Sequence, residues 1–413
     1  MLGEADRALA ERDPALPALP VLLDDHALQQ WLAEHLSTPL IARTRYLRYK
    51  PGTSCVLGVE VCIGEEQSAR TIVVTALTPG EVGKLVKTAE RAPSASVLAM
   101  DHSGAMLVTT PAADRDLPAL ASLAVPRRRE AMLQRALPLA WGDRGGPVRE
   151  LAYKPQRRWV GRADLRSGTV LLRAYRPADL AAAAARIRAL RAEGPRTPVL
   201  LGIDRRRGLA AVEFLPGSAL TAPGAAELRS LGVALSTLHR SGAALPTAQP
   251  GDHREAVLAA ADQLALLLPA VGPVARRIAA AATAAGGGQG WAQVPVHGDL
   301  SLDQAILGPD GEIALIDLDR AARGPAETDL ASFTAEAHLR GKDAAAMLAD
   351  VRAGYRLPVD RERLRLLTAG QLLLRAAEPF RCRRPDWAES TAALVAAADR
   401  VLTGGLERLE PIG

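Results

Sequence analysis

One pattern occurs twice in this chain of 413 residues, and the duplication limits its fold more than any other feature. Leu47-Arg48-Tyr49-Lys50-Pro51 returns as Leu151-Ala152-Tyr153-Lys154-Pro155. Val56-Leu57-Gly58 is answered by Trp159-Val160-Gly161, and Thr71-Ile72-Val73-Val74 by Thr169-Val170-Leu171-Leu172. Pro79 and Pro177 each precede a helix-like stretch. Val97-Leu98-Ala99-Met100-Asp101 then matches Val199-Leu200-Leu201-Gly202-Ile203-Asp204. Chance produces one such match, but an ordered set with little drift in offset is a duplication. Each copy reads strand, turn, strand, strand, helix, strand, strand. The strands are short and β-branched, with Gly and Pro between them.

The pattern changes after Pro223. Leu228, Leu231, Leu235 and Leu238 recur at helical spacing. Ala-rich helices are expected over residues 254–285, with Gly286-Gly287-Gly288 as their stop. Two short strands follow, around 304–307 and 313–316, joined by the turn Gly308-Pro309-Asp310-Gly311. Helices then run to the C-terminus. Near the N-terminus, residues 24–36 read as an amphipathic helix capped by Asp24 or Asp25.

Bulk composition excludes several classes. Hydrophobic residues make up 48% of the chain, too many for a disordered one. Aromatics are only 3%, so the cores must rest on Leu, Val and Ala. A net charge of +5 is modest for this length, and acids are interspersed with bases, so nucleic acid is not expected as a partner. Cys55, Cys62 and Cys382 have no metal-ligand spacing and are read as free thiols. No secretory signal and no apolar run of ~20 residues is found, so no membrane span is expected and the cytoplasm follows by default.

Chemistry concentrates in Val296-His297-Gly298-Asp299-Leu300-Ser301-Leu302-Asp303-Gln304 and in Leu315-Ile316-Asp317. Gly324 and Asp329-Leu330-Ala331 follow. This combination resembles the aminoglycoside phosphotransferase family, small-molecule kinases with a protein-kinase-like fold. Protein kinases place a base Asp in a His-Arg-Asp loop, a metal-binding Asn five residues on, and a second metal-binding Asp after it. The small-molecule enzymes have His-Gly-Asp instead. The resemblance makes Asp299 the catalytic base, Asp317 a Mg²⁺ ligand, and Gln304 the residue at the Asn position. Gln offers the same amide oxygen one methylene farther out, as it does in maltokinase-like relatives. His297 and Asp329 are read as structural, holding the catalytic loop. Asp303 and Asp319 are read as exposed or outlying acids, and His239 as packing or capping.

The same resemblance assigns the nucleotide side. Arg173 stands in the place of the β3 lysine that holds the phosphates of ATP. The turn containing Lys154, Arg157 and Arg158 replaces the glycine-rich loop, its cations closing over phosphate. Glu213 and Leu215 lie in Val212-Glu213-Phe214-Leu215-Pro216-Gly217, which is similar to the interlobe hinge. Adenine would bond there to the carbonyl of Glu213 and the N–H of Leu215. The N-lobe helix has no mid-helix Glu, and Asp179 is its one early acid. Trp387 has two readings, a core or lid residue and a platform for a sugar face.

The expected fold class is α+β, bilobal and protein-kinase-like, with an N-terminal cap that resembles a duplicated N-lobe. The expected division is a helical segment at 1–37, a cap at 38–147, the N-lobe at 148–216 and a helical C-lobe at 217–413. A capped N-lobe is similar to maltokinases and glucosamine kinases. The resemblance implies an enzyme, monomeric or homodimeric, that uses ATP and Mg²⁺ on a hydroxyl of a small molecule. A sugar or amino sugar is the first expectation for that acceptor. An aminoglycoside-type antibiotic is the second. The glycine-poor loop, Gln304 and the missing helix Glu keep open a third reading, a pseudokinase that senses a nucleotide or metabolite.

Overall fold

The computed structural model describes residues 2–63, 69–138, 141, 146–248, 250–284 and 291–409. The expected glycine stop at 286–288 and the loop at 142–145 lie outside the described residues. Among the described residues, no helix is long and apolar enough to cross a membrane.

The duplication folds as the sequence requires. The first copy gives β1 (Leu40–Lys50), β2 (Ser54–Ile63), β3 (Arg70–Leu77), the helix Val82–Arg91, β4 (Val97–Asp101) and β5 (Met106–Thr109). The second gives β6 (Val148–Lys154), β7 (Arg158–Leu165), β8 (Gly168–Ala174), the helix Pro177–Glu193, β9 (Leu200–Asp204) and β10 (Leu209–Glu213). The two sheets have the same strand order, β1-β2-β3-β5-β4 and β6-β7-β8-β10-β9. Equivalent pairs share their register. Tyr49 faces Cys55 in the first hairpin, and Tyr153 faces Trp159 in the second.

Contacts divide the chain into two compact units. The first is residues 1–181, 201–212 and 379–387, and the second is 182–200, 213–378 and 388–413. The first unit therefore holds both sheets, and one apolar core serves both copies. Val56 and Val73 from the first sheet, Leu120 and Leu133 from the helices between, and Trp159, Val170 and Leu172 from the second all bury there. Each such side chain removed from water contributes ~1.5–3 kcal/mol.

Asp114, between the two copies, grips the second copy's first turn. It accepts the Tyr153 hydroxyl at 2.8 Å and the N–H of Gln156 at 2.7 Å. Arg48 adds a bond to Oε1 of Gln156 at 3.0 Å, and Arg176 one to its carbonyl at 3.1 Å. Gln156 has φ +60°, a left-handed conformation in which a non-glycine residue needs such support.

The second unit is mostly helical. The helix Ala225–Arg240 buries Leu228, Leu231, Leu235 and Leu238, the stripe expected from spacing. The helices Pro250–Leu267 and Gly272–Ala284 fill the Ala-rich region. Short strands then frame the chemistry-bearing segment. They are β11 (Ser218–Ala219), β12 (Val294–Val296), β13 (Ala305–Leu307), β14 (Ile313–Leu315) and β15 (Ala322–Gly324). β11, β13 and β14 form one sheet, and β12 pairs antiparallel with β15. The helices Glu327–Leu339 and Arg361–Arg375 lie in the same unit.

Candidate active site

The strand β12 delivers the chain into the His297-Gly298-Asp299 loop, and one carboxylate fixes that loop. Asp329, fully buried near the start of its helix, accepts the N–H groups of His297 and Gly298, each at 2.8 Å. It also accepts Nε2–H of His239 at 3.0 Å, while the Tyr355 hydroxyl lies 2.7 Å from Nδ1 of that ring. Burial alone pushes the Asp329 carboxyl up, but the His239 bond, the neighbouring imidazoles and the His297 N–H together hold it below the usual carboxylate value. Burial also pushes the Tyr355 phenol well above its ordinary value, so it stays neutral. Asp329 thus holds the loop, while His239, read from the sequence as packing or capping, is hydrogen-bonded to that carboxylate.

Glycine is required at the middle of the triplet. Gly298 has φ +81°, and a Cβ there would sit 2.4 Å from the carbonyl oxygen of Arg320. The close approach brings the loop against the segment that follows Asp317. His297 makes a second link, with Nε2–H donating to the carbonyl of Ile316 at 2.8 Å. Arg186 adds a third, Nε to the carbonyl of Ala321 at 2.9 Å, from the helix where protein kinases carry their Glu.

Gln304 and Asp317 are brought side by side by the β13–β14 hairpin. The N–H of Ile316 donates to the carbonyl of Gln304 at 2.9 Å. Oε1 of Gln304 is buried and has no hydrogen-bond partner among the described residues. A buried amide oxygen left in that state costs ~1–3 kcal/mol, and a cation would satisfy it. Asp317 adopts φ +62° and ψ +54°, a left-handed conformation that a non-glycine residue holds only where its surroundings impose it. One carboxylate and one amide oxygen suit Mg²⁺, which completes its shell with phosphate and water. The residues present therefore fit that metal.

Asp299 has a side chain 35% exposed, and each of its oxygens faces a guanidinium. Oδ1 is 3.3 Å from Nη2 of Arg375, and Oδ2 is 3.5 Å from Nε of Arg320. Neither arginine was singled out from sequence. Arg320 follows Asp317 closely and could have been noticed by position. Arg375 carried a fainter signal: Gln371 and Arg375, four apart, interrupt the leucines of one helix, a spacing that puts them on one face.

The remaining expected residues are distributed as follows. Arg173 lies on β8 opposite Val160, is 9% exposed, and has its guanidinium 5.6 Å from the Tyr175 ring centroid. Lys154 faces Arg158 across the β6–β7 turn, and its amino group lies 5.5 Å from the Tyr46 ring centroid. Arg157 is exposed in that turn. All four belong to the first unit, whereas Asp299, Gln304 and Asp317 belong to the second. Glu213 opens the second unit's long segment. Its N–H donates to the carbonyl of Val199 at 2.8 Å, and its Oε2 accepts the Val199 N–H at 3.0 Å. Leu215 is buried two residues on. Asp303 accepts from Ser301 at 2.6 Å and from Arg340 at 2.8 Å.

Trp387 is a core residue and no platform for a sugar. It is 2% exposed, packs edge-on against Phe380 and donates Nε1–H to Asp6 at 3.1 Å. Arg383 holds the same carboxylate with two bonds, at 2.9 and 2.8 Å. Residues 379–387 thus serve to anchor the N-terminal helix Glu4–Arg12 in the first unit.

Comparison with known proteins places this geometry in context. A model of the phosphotransferase enzyme family matches residues 148–367, more than half of the chain. No curated protein matches it in sequence. Among solved structures, it is similar to a variant of aminoglycoside 2'-phosphotransferase IIIa in its GDP complex. The two are 15% identical, with 68% of this chain and 99% of that one covered and a TM-score of 0.50. A choline/ethanolamine kinase family protein from Mesorhizobium loti is 20% identical, covering 68% of this chain and 96% of its own, at a TM-score of 0.49. A macrolide 2'-phosphotransferase from Brachybacterium faecium is 20% identical, covering 69% and 100%, at a TM-score of 0.45. The first likeness is one of fold, the mixed sheet and helix arrangement expected from the sequence.

Proposed function

The chain belongs to the phosphotransferase enzyme family, and from that premise we propose that it transfers the γ-phosphoryl group of ATP to a hydroxyl of a sugar or amino sugar. The observation that carries the reading is the second unit's loop and hairpin. A part-exposed carboxylate, Asp299, is held in a fixed loop, and a buried, unsatisfied amide oxygen of Gln304 lies next to the strained Asp317.

The acceptor hydroxyl donates to the Asp299 carboxylate. As its oxygen forms a bond to the γ-phosphorus, the bond from that phosphorus to the β,γ-bridging oxygen breaks, and ADP leaves with the electron pair. The hydroxyl proton passes to Asp299. Asp317 and Gln304 would hold Mg²⁺, which when bound would neutralise the phosphate charge. Arg173 and the cations of the β6–β7 turn are assigned to the phosphates, and the backbone at Glu213 and Leu215 to the base.

Electrostatics supports a sugar or amino sugar. The carboxylates of Asp299, Asp303 and Glu336 are matched by the guanidiniums of Arg320, Arg340 and Arg375. Each of these three carboxylates is already paired with a guanidinium, which weakens their pull on a polycation. A neutral polyol, or one with a single amine, suits such a surface.

Release of ADP from ATP, or of GDP from GTP, tests the proposal, with Mg²⁺ and across sugars, amino sugars and aminoglycosides. Turnover that depends on a sugar and falls about 10²–10⁴-fold in Asp299→Asn supports it. Turnover only with aminoglycosides moves the acceptor to that class. Nucleotide binding without transfer to any acceptor favours a sensor, and full turnover in Asp299→Asn removes the base assignment.

A further inference from the structure

We propose that Arg375 is a positioning residue for the catalytic carboxylate, a role that rests on Asp299 being the base. Arg375 is 7% exposed, in the last turn of the helix Arg361–Arg375. A guanidinium has five N–H donors in a rigid fork, and here its nitrogens make five hydrogen bonds. Nε donates to Oε2 of Glu336 at 3.0 Å. Nη1 donates to Oε1 of Gln371 in a short bond, and to the Gln371 carbonyl at 3.4 Å. Nη2 donates to Oγ of Ser332 at 2.8 Å and to Oδ1 of Asp299 at 3.3 Å.

The partners explain what this arrangement does. Asp329, Ser332 and Glu336 recur along one helix at spacings of three and four, which places them on one face. Asp329 holds the backbone of His297 and Gly298. Ser332 donates to the carbonyl of Leu300 at 3.0 Å. The helix therefore fixes the loop backbone on both sides of Asp299 and leaves its side chain to be oriented by other means. Arg375 supplies that orientation. It is immobilised by Glu336, Gln371 and Ser332, and the donor it presents to Oδ1 cannot shift without breaking other bonds.

The ladder continues away from the base. Glu336 also pairs with Arg340 at 2.9 Å, and Arg340 with Asp303 at 2.8 Å, back on the catalytic segment. A lysine at 375 offers one compact ammonium and cannot reproduce five bonds in a plane. The geometry thus ties the rotamer of Asp299 to a guanidinium in particular.

The test is a double-mutant cycle between positions 299 and 375, with kcat and KM read separately. Arg375→Ala and Arg375→Lys are expected to lower kcat at least 30-fold, with KM for ATP changed less than threefold. Guanidinium ion added to Arg375→Ala should restore part of kcat. In an Asp299→Asn background, Arg375→Ala should change kcat less than threefold, because an orienting residue has nothing left to orient. Should Arg375→Ala fail to fold, Glu336→Gln is the second variant, expected to lower kcat about three- to tenfold. Losses that multiply in the double variant, or unchanged kcat in Arg375→Lys and Glu336→Gln, would overturn the proposal. Full activity in Asp299→Asn alone would instead sink the base assignment on which it rests.

Discussion

The N–H of Ile316 donates to the carbonyl oxygen of Gln304 at 2.9 Å, so the residue before Asp317 is fastened to the residue proposed as its partner in holding metal. The bond fixes the backbones of Gln304 and Asp317 relative to each other through the β13–β14 hairpin. It leaves Oε1 of Gln304 buried with no hydrogen-bond partner among the described residues.

The consequence concerns metal dependence. Gln304→Ala removes the amide oxygen but not the backbone bond, so the hairpin should persist. The Mg²⁺ concentration for half-maximal activity is expected to rise at least tenfold, with KM for the acceptor little changed. Chelation by EDTA should abolish turnover in the parent enzyme, and added Mg²⁺ should restore it. An unchanged Mg²⁺ titration in Gln304→Ala would remove this residue from the metal site.

Glycine at 298 follows from two constraints that act together. Its φ of +81° is unfavourable for any L side chain, and an added Cβ meets the Arg320 carbonyl at 2.4 Å, a backbone atom that cannot rotate away. Gly298→Ala is therefore expected to displace the loop, weaken the bonds to Asp329 and lower kcat at least 10²-fold. Global stability should fall by about 1–3 kcal/mol, measured by urea unfolding. A variant with parental kcat and stability would show that the loop does not need this conformation.

How much of this was legible in the sequence depends on how local each constraint is. The two sheets were legible because each strand carries its own pattern and the copies corroborate one another, as Tyr49 and Tyr153 do. That the Asp299 loop, Gln304 and Asp317 would be linked was legible because that loop and the hairpin are short and contiguous. Arg375 was not, since its partner Asp299 is 76 positions away and only the packed helices bring them together. Trp387 was ambiguous for the same reason. Its partner Asp6 is 381 positions distant, and no local pattern announces that contact.

His338 gives a pH dependence of stability unrelated to catalysis. It is fully buried in the helix Glu327–Leu339, and neither ring nitrogen has a hydrogen-bond partner among the described residues. Burial first, and the charge of Arg400 second, lower its pKa from the ordinary 6.5 to about 4. The sign follows from linkage. Above pH 6.5 the imidazole is neutral in both states and imposes no pH dependence. Between 6.5 and about 4 the unfolded chain takes up a proton that the folded chain refuses, so stability falls as pH falls. The slope approaches about 1.4 kcal/mol per pH unit, and the loss levels off below the folded value. His338→Leu should therefore be more stable than the parent, by a margin that widens from pH 7 to pH 4 in urea titrations. A margin independent of pH over that window would mean that His338 accepts its proton equally well in the folded protein.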